Sequence, residues 1–317
     1  MKISFVIPVY NEAESIEQLY REISAEMDDQ EYEILFIDDG SYDKSYSILQ
    51  ALAAEDKRVK VIKFRRNFGK AAALQTGFSK ATGDVIITMD SDLQDNPQEI
   101  KPLLRKLDEG YDLVSGWKKK RQDPLGKRIA SRFFNFVTSL FFKLKLHDFN
   151  CGFKVYRSEV VKELDIYGEM HRYLPVLAAS KGFRVTELEV AHRPRVHGKS
   201  KYGGERILRG FFDLLTVKLI THYTRSPLYL FGGLGSLFTI SGILIGLYLS
   251  YLKFFAGMPL YNRPLLFMAI LFIMIGLQFF SIGLIGELVV NQSRELVRGK
   301  NLSIEKMTNL TPKSREI

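Results

Sequence analysis

The fold of this chain is decided by the stretch Val85-Ile86-Ile87-Thr88-Met89-Asp90-Ser91-Asp92-Leu93-Gln94-Asp95. Its apolar and β-favouring first half predicts a short buried strand, and its second half places three carboxylates and an amide directly after that strand. Residues in this position lie at the edge where open α/β sheets bind ligands. If the strand continues, Asp90 and Asp92 share one face, and their oxygens suit Mg²⁺ or Mn²⁺ beside substrate phosphates. Taken alone, the D-x-D pattern also fits a solvated acidic turn.

Strand-like and helical patterns alternate on both sides of this stretch. Further buried strands are predicted at residues 2–9, 32–37, 59–64 and 112–117, and Asn96-Pro97 predicts the start of a helix after the central strand. This alternation predicts an α/β fold with a parallel, doubly wound sheet. The dinucleotide motif G-x-G-x-x-G does not follow the first strand, which weakens an oxidoreductase assignment.

The loops after the predicted strands carry polar motifs. Tyr10-Asn11-Glu12 follows the first strand, and Asn11 with Glu14 fits a helix cap. Asp38-Asp39-Gly40-Ser41 follows the second strand and fits either a simple turn or a carboxylate that binds a base or ribose. Arg65-Arg66-Asn67-Phe68-Gly69-Lys70 follows the third strand and fits either a solvated basic loop or an anion site at a helix N-terminus.

Composition narrows the classes of partner. The chain has 317 residues, a net charge of +9 and a sequence pI near 9.3, so phosphates or an anionic membrane surface are expected partners. Cys151 is the only cysteine, which excludes an internal disulfide and a Cys-rich zinc site. The five histidines lack metal-ligand spacing. No signal peptide precedes the first strand, so the N-terminal part is expected in the cytosol.

Two uncharged apolar stretches, residues 228–252 and 265–286, each exceed the ~20 residues needed to cross a bilayer. Lys and Arg cluster before the first stretch and after the second, so the positive-inside rule predicts both termini in the cytoplasm. The expected organisation is a cytosolic catalytic domain at residues 1–225, two transmembrane helices with a short external loop at residues 226–290, and a cytosolic tail at residues 291–317.

Two amphipathic helical patterns and one basic loop accompany the spans. Residues 126–146 fit either a core helix or a helix on the membrane surface, whereas residues 205–223 lie just before the first span and favour the interface. The basic loop at residues 192–202 favours a phosphate at the bilayer surface over nucleic acid. Gly242-x-x-x-Gly246 fits a helix pair or a dimer contact, and the spans are compatible with a homo-oligomer.

Six motifs together resemble those of a known family. They are Ile7-Pro8-Val9-Tyr10-Asn11-Glu12, Ile37-Asp38-Asp39-Gly40-Ser41, Arg66-Asn67-Phe68-Gly69-Lys70, Asp90-Ser91-Asp92-Leu93-Gln94-Asp95, Gly152-Phe153-Lys154 and the basic segment of residues 193–202. In this order they resemble family 2 glycosyltransferases with a GT-A fold. The chain is most similar to the polyprenyl-phosphate glycosyltransferases, such as dolichyl-phosphate mannose synthases and bacterial undecaprenyl-phosphate glucosyltransferases. The resemblance covers about residues 1–225, and the two-span tail fits one branch of the family.

The resemblance implies transfer of a hexose, with inversion, from a nucleotide sugar of the UDP-glucose or GDP-mannose type to a membrane polyprenyl phosphate. It implies Mg²⁺ or Mn²⁺ held by Asp92 and Gln94, and catalytic roles for Asp90, Asp92 and Asp148. The residues implied to bind the nucleotide sugar are Pro8, Tyr10, Asn11, Glu12, Asp39, Arg66, Lys70, Asp90 and Ser91.

A lipid phosphate acceptor needs no strong general base, because a phosphomonoester with a second pKa of about 6 is largely ionised at pH 7. Cations are needed instead, and the candidates are Arg128, Arg132, Arg195 and Lys199. Asp148 is expected either to orient the acceptor or to act as a base. Some relatives carry an Asp where this chain has Gly152, which leaves the role of Asp148 open.

Two other functional classes share parts of this pattern. A processive polysaccharide synthase would carry a Q-x-x-R-W motif and more spans, and Trp117 is not in such a motif. A non-catalytic membrane scaffold would only bind a nucleotide sugar. The intact Asp90, Asp92 and Gln94 oppose the scaffold interpretation.

Overall fold

The computed structural model describes residues 1–27, 29–119, 125–194, 214, 216–219, 221, 226–259 and 264–296, without the side chains of residues 125–133, 291 and 293–296. Contacts between residues divide the chain into two compact units, Met1–Val217 and Lys218–Ile317. The first unit holds the predicted sheet, and the second holds the two apolar stretches.

Within the described part of the chain, one seven-stranded sheet forms the first unit. Its strands are β1 Ile3–Val9, β2 Tyr32–Asp38, β3 Val59–Lys63, β4 Val85–Thr88, β5 Leu113–Trp117, β6 Lys154–Arg157 and β7 Val185–Glu189. The order across the sheet is β3-β2-β1-β4-β6-β5-β7, and β6 runs antiparallel to both of its neighbours. The mostly parallel α/β sheet is therefore confirmed. The antiparallel β6 is not among the predicted strands, because a four-residue strand has no clear hydrophobic period.

Helices cover both faces of this sheet. They are α1 Ile16–Glu26, α2 Ser45–Glu55, α3 Lys70–Lys80, α4 Ile100–Asp108, α5 Leu125–Phe142, α6 Ser158–Glu163 and α7 Leu174–Ser180. Short 3₁₀ turns, Pro97–Glu99 and Met170–Tyr173, lead into α4 and α7. Alternate residues of β1 face opposite layers: Phe5 packs into the core under α1, α2 and α4, and Val6 packs into the core under α3, α6 and α7. Both faces of the strand are buried, which explains its continuous apolar run.

One local expectation about a polar residue is wrong. Asn11 does not cap α1: the helix begins at Ile16, and Asn11 has a positive φ of 54° and accepts a hydrogen bond from the Tyr42 amide. On α5, Asn135 is buried and bonds the backbone of the 147–149 loop. Phe136 and Leu140 on the same helix are 67% and 65% exposed.

The second unit contains two helices that are long and apolar enough to cross a membrane, Pro227–Phe254 and Pro264–Leu296. They pack closely through small residues seven positions apart. A Cβ added at Gly235 would lie 2.8 Å from the Gly276 carbonyl oxygen, and one added at Gly242 would lie 2.8 Å from that of Ala269. Gly246 has no described atom within 4 Å of such a Cβ, so only one glycine of the predicted pair lies in this seam.

A buried carboxylate ties the amino end of the sheet together. Glu33 on β2 accepts hydrogen bonds from Ser4 Oγ at 2.6 Å, Thr82 N at 2.8 Å and Lys60 Nζ at 2.5 Å. Burial raises the pKa of Glu33, but these hydrogen bonds outweigh it and lower the pKa from 4.5 to about 2. Because the folded-state pKa is depressed, this contribution to stability is present above about pH 4.5 and is lost as the pH falls toward 2.

We expect Glu33→Gln to lower the free energy of unfolding by about 2 kcal/mol at pH 7, because one buried acceptor is replaced by an unpaired amide. The deficit should shrink as the pH falls from 4.5 toward 2. Chemical unfolding of the full chain in detergent measures it, and Glu31→Gln, at an exposed position, is the control. A deficit that stays constant over this pH range would contradict the assignment.

Candidate functional site

The loops that follow β1, β2, β3 and β4 meet at the carboxyl edge of the sheet. β4 ends at Thr88, so Asp90 and Asp92 lie in a turn and not on one face of a continuing strand. Asp92 Oδ1 accepts a hydrogen bond from Gln94 N at 3.2 Å. Leu93 lies between Asp92 and Gln94, is buried and has a positive φ of 63°. This backbone conformation is strained for a leucine and determines the direction of the two neighbouring side chains. We name residues 90–96 the carboxylate loop.

Asp90 lies in a strongly positive environment. Its Oδ1 forms an ion pair with Lys70 Nζ, the first residue of α3. Burial raises the pKa of Asp90, but Lys70, Lys118 and Lys154 outweigh it and hold that pKa well below its usual range. Asp90 is therefore an anion at any physiological pH. The lysines around it suit a second anion, such as a phosphate, beside the carboxylate.

The Asp95 carboxylate stabilises the carboxylate loop through two contacts. Its Oδ2 accepts a hydrogen bond from Asp90 N at 3.0 Å, and its Oδ1 lies 2.7 Å from Lys118 Nζ. Burial lowers the pKa of Lys118, but the charges of Asp95 and Asp90 outweigh it and raise the pKa above its ordinary value. From the other side, Ser15 Oγ donates to the carbonyl oxygen of Ser91 at 2.6 Å.

The structure brings the predicted nucleoside residues together. Asn11 N donates to Ser41 Oγ at 2.9 Å, and Glu12 N donates to Ser45 Oγ at 2.9 Å, so the loops after β1 and β2 are joined. Tyr10 and Tyr42 rings meet edge to face with centroids 6.1 Å apart. Pro8, near the end of β1, is half-buried.

Asp39 binds the loop after β3. Its carboxylate accepts hydrogen bonds from the amides of Phe68 at 2.7 Å and Gly69 at 3.0 Å. Burial raises its pKa, the two amides lower it, and the neighbouring Asp38 raises it, with a net upward shift. Gly40, at a φ of 73°, lies so close to the backbone of Arg66 that no side chain fits there. Asp39 therefore shapes this loop in addition to any ligand contact.

Fewer contacts are described for Arg66 and for the residues predicted to bind the acceptor phosphate. The exposed Arg66 guanidinium lies over the Phe68 ring, 4.5 Å from its centroid. Asp148 is buried at 1% exposure, and its Oδ1 accepts a hydrogen bond from Asn150 N. The side chains of Arg128 and Arg132, and all of Arg195 and Lys199, lie outside the described residues.

Four residues without an assigned role in the sequence contribute to the site: Asp95, Lys118, Lys154 and His171. Lys154 is buried, and its ammonium donates to the Cys151 carbonyl oxygen. Burial lowers the pKa of His171 well below its ordinary value, and Lys70 and Lys154 add to this effect. His171 Nδ1 has no hydrogen-bond partner among the described residues. The G-F-K motif contains Lys154, but no sequence pattern indicates His171. His171 lies near the site because residues 170–173 pack against α3.

The residues present fit a divalent metal only in combination with substrate. Among the described residues, no three His, Cys, Asp or Glu side chains form a metal-binding group. Asp92 and Gln94 offer a carboxylate and an amide oxygen, hard ligands that Mg²⁺ and Mn²⁺ accept together with phosphate oxygens and water. This arrangement suits a metal that arrives with a nucleoside diphosphate.

Comparison with known proteins shows similarity over most of the chain. The model of the family described as glycosyl transferase family 2 matches residues 4–165. The dodecaprenyl-phosphate galacturonate synthase of Rhizobium johnstonii is 34% identical over 91% of this chain and 88% of its own length. The undecaprenyl-phosphate 4-deoxy-4-formamido-L-arabinose transferase of Proteus mirabilis is 36% identical over the same shares.

Solved structures agree on the fold. The glucosyl-3-phosphoglycerate synthase of Mycobacterium tuberculosis, crystallised with Mn²⁺, UDP and phosphoglyceric acid, superposes with a TM-score of 0.55. It is 20% identical and covers 68% of this chain and 78% of its own. At this identity the likeness shows a shared GT-A fold, as expected from the sequence motifs.

Gly152 leaves the space that the Asp90 carboxylate occupies, since a Cβ at Gly152 would lie 2.5 Å from Asp90 Oδ2. We expect Gly152→Ala to displace Asp90 from Lys70 and to lower the catalytic rate about a hundredfold, the effect of a ~1 Å misplacement in an active site. Turnover and the thermal unfolding midpoint are measured together. Gly246→Ala, in open space, is the control. Unchanged turnover in Gly152→Ala would show that the position of Asp90 is not critical.

Proposed function

The chain belongs to glycosyl transferase family 2 and is a glycosyltransferase, and from this premise we propose that it transfers a sugar from a nucleotide sugar to a membrane polyprenyl phosphate with inversion. The support for this acceptor is the similarity, over nine-tenths of the chain, to two relatives named for polyprenyl-phosphate products. UDP-glucose and GDP-mannose are donors expected from the motifs. Because the relatives are named for galacturonate and a formamido-arabinose, donors of these sugars join the candidates.

The observation that carries the proposal is the charge arrangement around the carboxylate loop. Asp90 is held by Lys70, and Lys118 and Lys154 lie close by, beside loops that carry Tyr10 and Asp39. We assign the nucleoside to Pro8, Tyr10, Asn11, Glu12 and Asp39, and the diphosphate and sugar to Arg66, Lys70, Asp90 and Ser91. Lysines beside one carboxylate can orient a diphosphate while the carboxylate keeps them in place.

Asp92 and Gln94 are proposed to hold Mg²⁺ or Mn²⁺ in this site. Bound there, the metal would neutralise charge that develops on the leaving nucleotide. Lys70 has a separate role, because its ammonium already pairs with Asp90 and adds positive charge at the N-terminus of α3. The protein supplies both a metal position and a fixed cation.

The acceptor phosphate is proposed to bind Arg128, Arg132, Arg195 and Lys199. A lipid phosphate is largely ionised at neutral pH, so cations that bring two anions together can replace a general base. Asp148 is fully buried and accepts a hydrogen bond from Asn150 N, which favours a role in orienting the acceptor over direct proton transfer.

Two apolar C-terminal helices support a membrane protein. We propose that residues 1–225 form the cytosolic catalytic domain, residues 226–290 form two transmembrane helices with a short external loop, and residues 291–317 form a cytosolic tail. Exposed Phe136 and Leu140 on α5 favour contact of that helix with the membrane surface. A homo-oligomer and the absence of nucleic-acid partners stay predictions.

The direct test supplies labelled nucleotide sugars to the purified full chain with a short polyprenyl phosphate and Mg²⁺, Mn²⁺ or EDTA. The panel contains glucose, mannose, galacturonate and formamido-arabinose donors. A metal-dependent, mild-acid-labile glycolipid from one donor is expected. Donor binding without transfer to lipid would instead support another acceptor, such as a growing polysaccharide, or the non-catalytic scaffold.

We expect Asp92→Asn to abolish metal-dependent transfer while the fold stays intact, because a neutral amide replaces the carboxylate of the proposed metal position. Transfer to polyprenyl phosphate and thermal unfolding are measured on the same preparation. Asp29→Asn, at an exposed position, is the control for loss of one charge. Wild-type turnover by Asp92→Asn would exclude this residue as a metal ligand.

A further inference from the structure

We infer that Arg193 is a positioning residue that holds the carboxylate loop in its metal-binding shape. This inference rests on the proposed function, because it assigns a support to the proposed metal ligands Asp92 and Gln94. In the sequence, Arg193 belongs to the basic segment of residues 192–202, which favours a phosphate contact. The structure instead directs its guanidinium into the protein.

The guanidinium of Arg193 joins two separate elements. Nη1 donates to Glu22 Oε2 on α1 at 2.6 Å, and Nη2 donates to Asn96 Oδ1 at 2.6 Å. Asn96 ends the carboxylate loop and also accepts a hydrogen bond from Gln98 N at 3.2 Å, which starts the 3₁₀ turn before α4. Arg193 is about one-third exposed, and Glu22 about one-quarter. Short, partly shielded bonds to a charged group are stronger than ordinary surface pairs.

The backbone beside Arg193 makes a third connection to the same loop. Arg193 N donates to the Gln94 carbonyl oxygen at 3.1 Å. One residue earlier, His192 and Asp95 form an isolated antiparallel bridge, and Ala191 N donates to Glu99 Oε1 at 3.1 Å. The chain leaving β7 therefore lies along the carboxylate loop and bonds it at Gln94, Asp95 and Asn96.

These contacts matter because the loop is strained where the metal ligands are. Leu93, between Asp92 and Gln94, has a positive φ that an L-residue adopts only when its surroundings impose it. Arg193 donates a hydrogen bond to the loop at Asn96, on the C-terminal side of Leu93, and Ser15 donates one at Ser91, on the N-terminal side. Without the Arg193 hydrogen bond, Gln94 can move away from Asp92, so metal binding should weaken while the rest of the fold persists.

Arginine is required at this position for a geometric reason. Its planar fork points two N–H groups at two acceptors at once, whereas a lysine ammonium on a single stem cannot keep the same pair of contacts. We therefore expect Arg193→Lys to behave like Arg193→Ala in metal binding, although it keeps the charge. A phosphate-binding role would give the opposite pattern, with substantial rescue by lysine.

The test measures Mn²⁺ binding by electron paramagnetic resonance on the full chain in detergent, alone and with UDP or GDP. Arg193→Ala and Arg193→Lys should each bind Mn²⁺ about tenfold more weakly, the usual effect of losing a support behind metal ligands. Glu22→Gln and Asn96→Ala each weaken one of the two guanidinium contacts and should reduce Mn²⁺ affinity by less. Arg21→Ala, whose partner Glu17 is on the same helix and exposed, is the control.

A double-mutant cycle identifies the route of the effect. If Arg193 acts through Asn96, then Arg193→Ala combined with Asn96→Ala should weaken Mn²⁺ binding less than the sum of the two single effects. Transfer assays should show the deficit at low Mn²⁺ and recovery of kcat at saturating Mn²⁺.

The outcomes separate this inference from the proposed function. Absence of Mn²⁺ binding by the wild-type chain, with and without nucleotide, would overturn the proposed metal position and the role of Arg193 together. Mn²⁺ binding by the wild type that is lost in Asp92→Asn but unchanged in Arg193→Ala and Arg193→Lys would overturn the role of Arg193 alone. If Arg193→Ala fails to fold, Arg193→Lys, Glu22→Gln and Asn96→Ala decide the question by the same titration.

Discussion

The site depends on one buried carboxylate, that of Asp95, which accepts a hydrogen bond and also forms an ion pair. One of its oxygens accepts from the backbone of Asp90, and the other pairs with Lys118 at the end of β5. A buried ion pair gains little net stability, since desolvation offsets the attraction. Its value here is positional: it fixes the curve of the carboxylate loop, which lets Leu93 keep a strained conformation and directs Asp90 toward Lys70.

Positive charge surrounds that loop in an arrangement that suits an anionic ligand. Lys70, Lys118 and Lys154 surround Asp90, and Gly152 leaves room for its carboxylate. Each lysine begins from a different element, α3, the end of β5 and β6, so no single stretch of sequence forms the cationic site. A nucleoside diphosphate with the proposed metal would complete the charge balance at this loop.

The same principle, support from distant segments, applies to the loop as a whole. Ser15 contacts it from the residue before α1, Lys118 from the residue after β5 and Arg193 from the chain after β7. Such supports are invisible to motif analysis because they have no fixed spacing from the motif. On α5, Asn135 is directed inward and bonds a loop, whereas Phe136 and Leu140 are exposed.

The sequence by itself determined strands β1 to β5 and the apolar spans, because hydrophobic period and length depend on neighbours in the chain. It also placed Asp90, Asp92 and Asp39 directly after strands that it predicted, at the carboxyl edge of the sheet. Tertiary structure alone decided the antiparallel direction of β6, the inward turn of Asn135 and the partners of Arg193. The Arg193–Glu22 contact joins residues 171 positions apart. A contact of that kind depends on how the whole chain packs, and no local pattern encodes it.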